Sequence, residues 1–156
     1  RLGAKAGDII CVTGSLGGSR YRKHLEFEPR IKEAIKIAQA VTVNSMIDIS
    51  DGLSSDLNRI CTASGVGAVI NAELIPISKQ AQKNAEPLDS ALNEGEDFEL
   101  LFTLSKKECK KLLDNWDAST AISQIGTITE TKKMQIRMPD GQVNDLEPKG
   151  FDHLSR

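Results

Sequence analysis

The sequence predicts an α+β domain, a mixed β-sheet covered by helices, and three observations carry that expectation. Short β-branched apolar runs (DIICVTG, SMIDI, ELLFTL) alternate along the chain with stretches whose apolar residues recur at helical spacing. Strand and helix patterns interleave from end to end, and no internal repeat or low-complexity tract interrupts them. The 156 residues suffice for one core, and 39% hydrophobic content with scattered Gly and Pro is that of a chain that folds. A single domain over residues 1–156 is expected.

The elements follow in order. Asp8 to Gly14 reads as a buried strand after the turn GAKAGD, leading into the glycine-rich loop GSLGGS. From Pro29, a residue suited to a first helical turn, Ile31, Ala34, Ile35, Ala38 and Val41 predict an amphipathic helix. Ser45 to Ile49 is a second strand. It runs into Asp51-Gly52 and a helix whose Leu53, Leu57, Ile60 and Cys61 share a face, ending at Ser64-Gly65. Gly67 to Ile75 is strand-like, and Pro76 through Ala91 is a loosely helical connection. Glu99 to Leu104 is a third buried strand. Ser105 and Glu108 fit a capping box ahead of Cys109, Leu112, Leu113 and Trp116 on one helical face. Ile122 to Ile128 and Met134 to Met138 are strands, followed by a tight turn at Pro139-Asp140-Gly141.

Several function classes fall away. Twenty Lys and Arg against 22 Asp and Glu give a net charge of -2, without the basic field that carries non-specific nucleic-acid binding. No run approaches the roughly 18 apolar residues that span a bilayer. Cys11, Cys61 and Cys109 lie far apart with no CxxC spacing and read as small core residues of a reducing cytoplasm. His24 and His153 are distant in sequence and offer no support for a nucleophile–histidine pair. Chemistry is to be sought among carboxylates. The chain opens at Arg1, without Met, on RLGAKAGD, which reads as the interior of a longer polypeptide.

The first acidic cluster is MIDISDGLSSDL. Alternation along a strand puts Asp48 and Ser50 on one side and Ile47 and Ile49 in the core, so Asp48 is a charge at the end of a buried strand. An unpaired buried carboxylate is costly, and a metal or other cation is expected opposite it. Asp51 follows at a strand-to-helix turn, where Gly52 permits close approach and helix amides present positive partial charge. Such a place suits phosphate oxygens and their divalent ions. Capping of the helix by Ser50 or Asp51 is the competing reading, and Asp56 reads as solvated on the helix's polar side. The second cluster, Asn93 to Glu99 (NEGEDFE), crowds the entrance of a buried strand, with Glu96 placed at a rim by Gly95; a solvated acidic loop is the alternative. The loop GSLGGSRYRK, with Arg20, Arg22 and Lys23, invites a phosphate-cradle reading but lacks the spacing of known phosphate loops.

RLGAKAGD, VTGSLGGS, HLEFEPRI, MIDISDGLSSDL, SGVGAVI, GEDFELLFT and KGFDH occur in the order found in the C-terminal domain of thiamine-monophosphate kinases, which this chain resembles from Arg1 to His153. DISDGL is also similar to the wider superfamily of aminoimidazole ribonucleotide synthetase. The resemblance implies a three-layer α/β/α domain with a mixed sheet. It implies ATP-dependent conversion of thiamine phosphate to thiamine diphosphate with Mg2+, in a cytoplasmic homodimer whose N-terminal metal- and ATP-binding domain is absent from this chain. Position by position, it makes Asp48 and Asp51 magnesium ligands, Arg1 and Ser50 ATP contacts, and Glu96 and Phe151 contacts of the thiamine substrate. Alone, the chain is expected to be inactive. Another ATP-dependent enzyme of the superfamily, or a non-catalytic nucleotide- or metal-binding module, remains the alternative.

Overall fold

The computed structural model describes residues 1–19 and 28–149. Among these residues, seven strands form one mixed sheet in the order β2-β4-β1-β5-β3-β6-β7. In sequence they are β1 (Ile9–Thr13), β2 (Ser45–Asp48), β3 (Gly67–Asn71), β4 (Leu100–Leu104), β5 (Ile122–Thr129), β6 (Met134–Arg137) and β7 (Val143–Asp145). All neighbours are antiparallel except β3 and β6. The helices are α1 (Ile31–Ala40), α2 (Leu53–Ser64), α3 (Pro87–Asn93) and α4 (Lys106–Asp114).

Period-two alternation divides the strands between two cores and so creates the three layers. On β1, Ile10 and Val12 face the cluster that contains Leu53, Leu57 and Ile60 of α2 and Ala91 and Leu92 of α3. Cys11 faces the other cluster, with Ile37 and Val41 from the α1 side and Cys109 and Leu112 of α4. β4 is buried on both faces, as an interior strand must be. Helices on both faces of a mixed sheet confirm the expected α+β, α/β/α architecture. No helix among the described residues is long and apolar enough to cross a membrane.

Local differences have local causes. α1 buries Ile37 and leaves Ile31 and Ile35 64% and 53% exposed. Its apolar residues form two overlapping stripes, and packing selected the one through Ala34, Ile37 and Ala40. β3 stops at Asn71 and turns into a short 3-10 segment, Ala72–Leu74. β7 was not anticipated: its three residues are all exposed, so it carries no hydrophobic alternation. Ser105 caps α4 by accepting from the Glu108 N–H at 3.3 Å. Glu108 does not reach back; its carboxylate accepts from the Thr42 N–H instead. Gly65 ends α2 in a left-handed conformation, as expected.

Candidate active site

β2 and α2 are joined by Ile49, Ser50, Asp51 and Gly52, and the turn is held by a residue downstream of it. Asp56, in the first turn of α2, is fully buried, and its Oδ2 accepts from the Ser50 N–H at 2.9 Å and the Asp51 N–H at 3.0 Å. Arg59, one turn further on, donates to Asp56 Oδ1 at 2.7 Å and also pairs with Asp51. Burial pushes the Asp56 carboxyl upward, and the two N–H donors and Arg59 oppose that shift. Neither Ser50 nor Asp51 caps α2. The cap is Gly52, at φ 101°, with no side-chain bond. A Cβ there would be strained at this φ and would lie 3.1 Å from backbone atoms of Leu92 and Asn93, a tight contact, so the conformation favours glycine.

Asp48 departs from its expected setting. It is exposed rather than buried, because β2 is the edge strand and the side chain projects away from Ile47 and Ile49. It lies at a hollow of about 250 Å³ together with Arg30, Ile31, Ala34, Phe98 and Leu100. Burial therefore demands no cation at Asp48, and its exposed carboxylate is open to ligands. Asp56, read as solvated, is the fully buried one.

The second acidic segment is zipped to the first. The Glu96 N–H donates to Ser50 O at 2.8 Å, the Phe98 N–H to Ile49 O at 2.9 Å, and the Ile49 N–H to Glu99 O at 2.8 Å. Glu96 and Phe98 take left-handed backbone conformations, φ 64° and 52°, uncommon for residues with side chains. Glu96 is exposed at the rim, as its sequence position suggested, whereas Asp97 and Glu99 turn inward and are each 2% exposed.

Those inward carboxylates organise the glycine-rich loop. Both Asp97 oxygens accept from the Gly17 N–H at 3.0 and 2.9 Å, and Glu94 accepts from the Gly18 N–H at 2.7 Å. Among the described residues of the loop, the Gly17 and Gly18 amides, which a phosphate cradle would offer, are thus engaged by carboxylates of the same chain. Arg20, Arg22, Lys23 and His24 lie outside the described residues. Glu99 accepts from Thr13 Oγ1 at 2.7 Å and from Arg30 through Nε and Nη2 at 2.8 and 2.9 Å, a two-pronged ion pair.

The remaining expectations divide. Ser50 and Asp51, in the turn ahead of α2, and Glu96 come together through main-chain bonds at the N-terminal end of that helix, and Asp48, two residues before Ser50, borders the hollow with Arg30 and Phe98. Arg1 leads into a segment held at the other end of that helix, where the Gly3 and Ala4 N–H groups donate to Ser64 Oγ, roughly 18 Å away at a helical rise of ~1.5 Å per residue. Phe151 and His153 lie outside the described residues. The chain leading to them is fastened at the acidic end, where the Lys149 N–H donates to Ser54 Oγ at 3.2 Å and Ser54 donates to Asn93 at 2.7 Å. Sequence reasoning missed Asp56, Arg59, Arg30 and Ser54. An acid in the first turn of α2 and an arginine three residues later were the available signals for the first two.

No group of three or more His, Cys, Asp or Glu able to hold a metal ion occurs among the described residues. Asp48, at the end of β2, and Asp51, in the turn that follows, carry hard carboxylate oxygens. That donor set fits Mg2+, which usually takes one or two carboxylates and fills its remaining positions with water and substrate phosphates.

Comparison with known proteins places these features in a family. The family described as AIR synthase related protein, C-terminal domain, matches residues 5–139. A thiamine-monophosphate kinase from Rhodopirellula baltica is 38% identical over 98% of this chain and 50% of its own length. One from Escherichia coli is 33% identical over 99% of this chain and 55% of its own length. The chain thus spans about half the length of the curated relatives it matches. Among solved structures, AaThiL complexed with AMPPCP and TMP is 31% identical, with a TM-score of 0.74, covering 97% of this chain and 53% of that one. Escherichia coli HypE, a hydrogenase maturation protein, shares the fold at 21% identity and a TM-score of 0.76, over 92% of this chain and 50% of that one. Match and architecture agree: the chain belongs to the family of AIR synthase related proteins, as their C-terminal domain.

Proposed function

We propose that this chain is the C-terminal half of a thiamine-phosphate kinase, which uses ATP and Mg2+ to convert thiamine phosphate to thiamine diphosphate. The observation that carries the reading is the main-chain junction of the two acidic segments, which sets Glu96 beside Ser50. One segment offers carboxylates to a metal and the other a carboxylate to a cationic substrate. The kinase names of relatives at 33–38% identity, and the nucleotide analogue in the AaThiL complex, support it.

Asp48 and Asp51 would hold Mg2+, which when bound would supply charge neutralisation at phosphate oxygens. Ser50, between them, meets ATP. The acceptor is a phosphate monoester, largely dianionic near neutral pH, and needs no side chain to remove a proton. The work of this chain's residues is positioning. Glu96 balances the thiazolium charge or accepts from the aminopyrimidine, and Phe151 stacks on a substrate ring. Arg1 is assigned to ATP by resemblance alone. The N-terminal half supplies the remaining metal and nucleotide contacts and the homodimer contact, and the enzyme works in the cytoplasm.

The test uses the two-domain protein. Calorimetry with thiamine diphosphate and magnesium should give saturable heat, and phosphoryl transfer to thiamine phosphate should depend on Mg2+. Absence of both defeats the reading. Asp48→Asn should lower turnover by roughly 100-fold and shift its magnesium dependence; unchanged turnover would reject the metal assignment. Phe151→Ala should raise KM for thiamine phosphate more than KM for ATP, and equal effects would reject stacking.

A further inference from the structure

We infer that Asp56 is the positioning residue of the proposed metal- and ATP-binding turn, fixing through the Ser50 and Asp51 amides the placement at which Ser50 and Asp51 meet their ligands. The inference rests on the proposed kinase function for the identity of those ligands. An acidic residue in the first turn of a helix ordinarily lies at the surface, near the amides of its own helix. Asp56 does neither: it is fully buried, and its Oδ2 reaches back past the Gly52 cap to two amides upstream of α2. Burying a carboxylate is costly unless its oxygens are satisfied, and here two N–H groups and the Arg59 guanidinium satisfy them.

The geometry at Ser50 shows what this arrangement does. Its N–H is held by Asp56 and its carbonyl oxygen accepts from the Glu96 N–H, so the residue's main chain is anchored on both sides. The next amide, that of Asp51, is held by the same Asp56 oxygen. Neighbouring peptides cannot rotate without breaking these bonds, which fixes the directions in which the Ser50 and Asp51 side chains leave the turn. Arg59 bridges Asp56 and Asp51, so the buried carboxylate also has a counter-charge that orients the candidate metal ligand. Residues that orient metal ligands from behind typically change metal affinity by about 10–100-fold when replaced.

The experiment compares wild type and Asp56→Asn in the two-domain protein. Mn2+ binding is titrated by electron paramagnetic resonance in the presence of AMPPCP, alongside KM values for Mg·ATP and thiamine phosphate. The expected result is Mn2+ affinity weakened by about tenfold or more, KM for Mg·ATP raised, and KM for thiamine phosphate within about twofold of wild type. A folded Asp56→Asn protein with wild-type Mn2+ affinity and KM for Mg·ATP overturns the inference. So does an equal change in both KM values, which would mark a general structural role. If the variant does not fold, hydrogen exchange in the wild type decides. The Ser50 and Asp51 amides should be protected like those inside α2, and exchange at loop rates overturns the proposal. A wild type that binds Mn2+ with AMPPCP but transfers nothing to thiamine phosphate defeats the kinase reading while leaving the Asp56 test intact; failure to bind either defeats both.

Discussion

Cys61 is almost entirely inside the core, and burial pushes its thiol from 9.0 up to about 11. Between those values the unfolded chain loses its proton while the folded chain keeps it, so the folded state binds more protons and stability falls as pH rises. We expect urea midpoints to decline from about pH 9 to 11, with up to about 1.4 kcal/mol per pH unit from this group. Cys61→Ala should flatten that slope, and an unchanged slope would show the loss lies elsewhere. Cys11 and Cys109, with sulfurs 3.7 Å apart, are likewise buried between β1 and α4. Their role as small core residues was legible because Cys11 lies in the apolar run IICV and Cys109 shares a helical face with Leu112 and Leu113. Asp48 and Asp56 were not legible in the same way. Alternation told which side of β2 Asp48 faces, but not that β2 is an edge, and helical spacing told nothing of a carboxylate folding back to upstream amides.

At the scale of elements, the start of β4 is tied to the end of β1 and to the residue ahead of α1 by Glu99. This one carboxylate engages Thr13 and Arg30. Glu99→Gln keeps the shape but removes the charge, and should lower unfolding free energy by about 2 kcal/mol in urea denaturation. A change below about 0.5 kcal/mol would mean that solvent readily replaces the carboxylate at Arg30, which is 22% exposed. Gly52→Ala places a side chain at φ 101° against the end of α3 and should cost about 1–3 kcal/mol, read as a lower thermal midpoint. The strands and helices themselves were readable from periodicity and caps. The facing of α1 was not, since its two apolar stripes are equivalent until α4 and the sheet are present. Nor was the pairing of the two acidic segments, which depends on β2 lying beside β4 although α2, β3 and α3 separate them in sequence.

At the scale of the molecule, the two apolar clusters share the sheet between them, so neither side should unfold alone. Leu57 packs on the α2 face and Trp116, the only tryptophan, borders the α4 face. Leu57→Ala should destabilise by about 3 kcal/mol and shift the Trp116 fluorescence and far-ultraviolet dichroism transitions together. Separate midpoints would reveal two folding units. The layered class was legible because strand and helix signals alternate; the strand order was not, because pairing is decided by long-range packing that no local pattern encodes. That order has a bearing on synthesis. β1 precedes the other six strands of this sheet in sequence, yet it lies inside the sheet between β4 and β5. At about 5–20 residues per second, the ribosome takes roughly 5–20 s to pass from Thr13 to Ile122. Throughout that interval the nascent strand Ile9–Thr13 lacks at least one of its native neighbours, and the domain can close only when more than three quarters of its length has emerged.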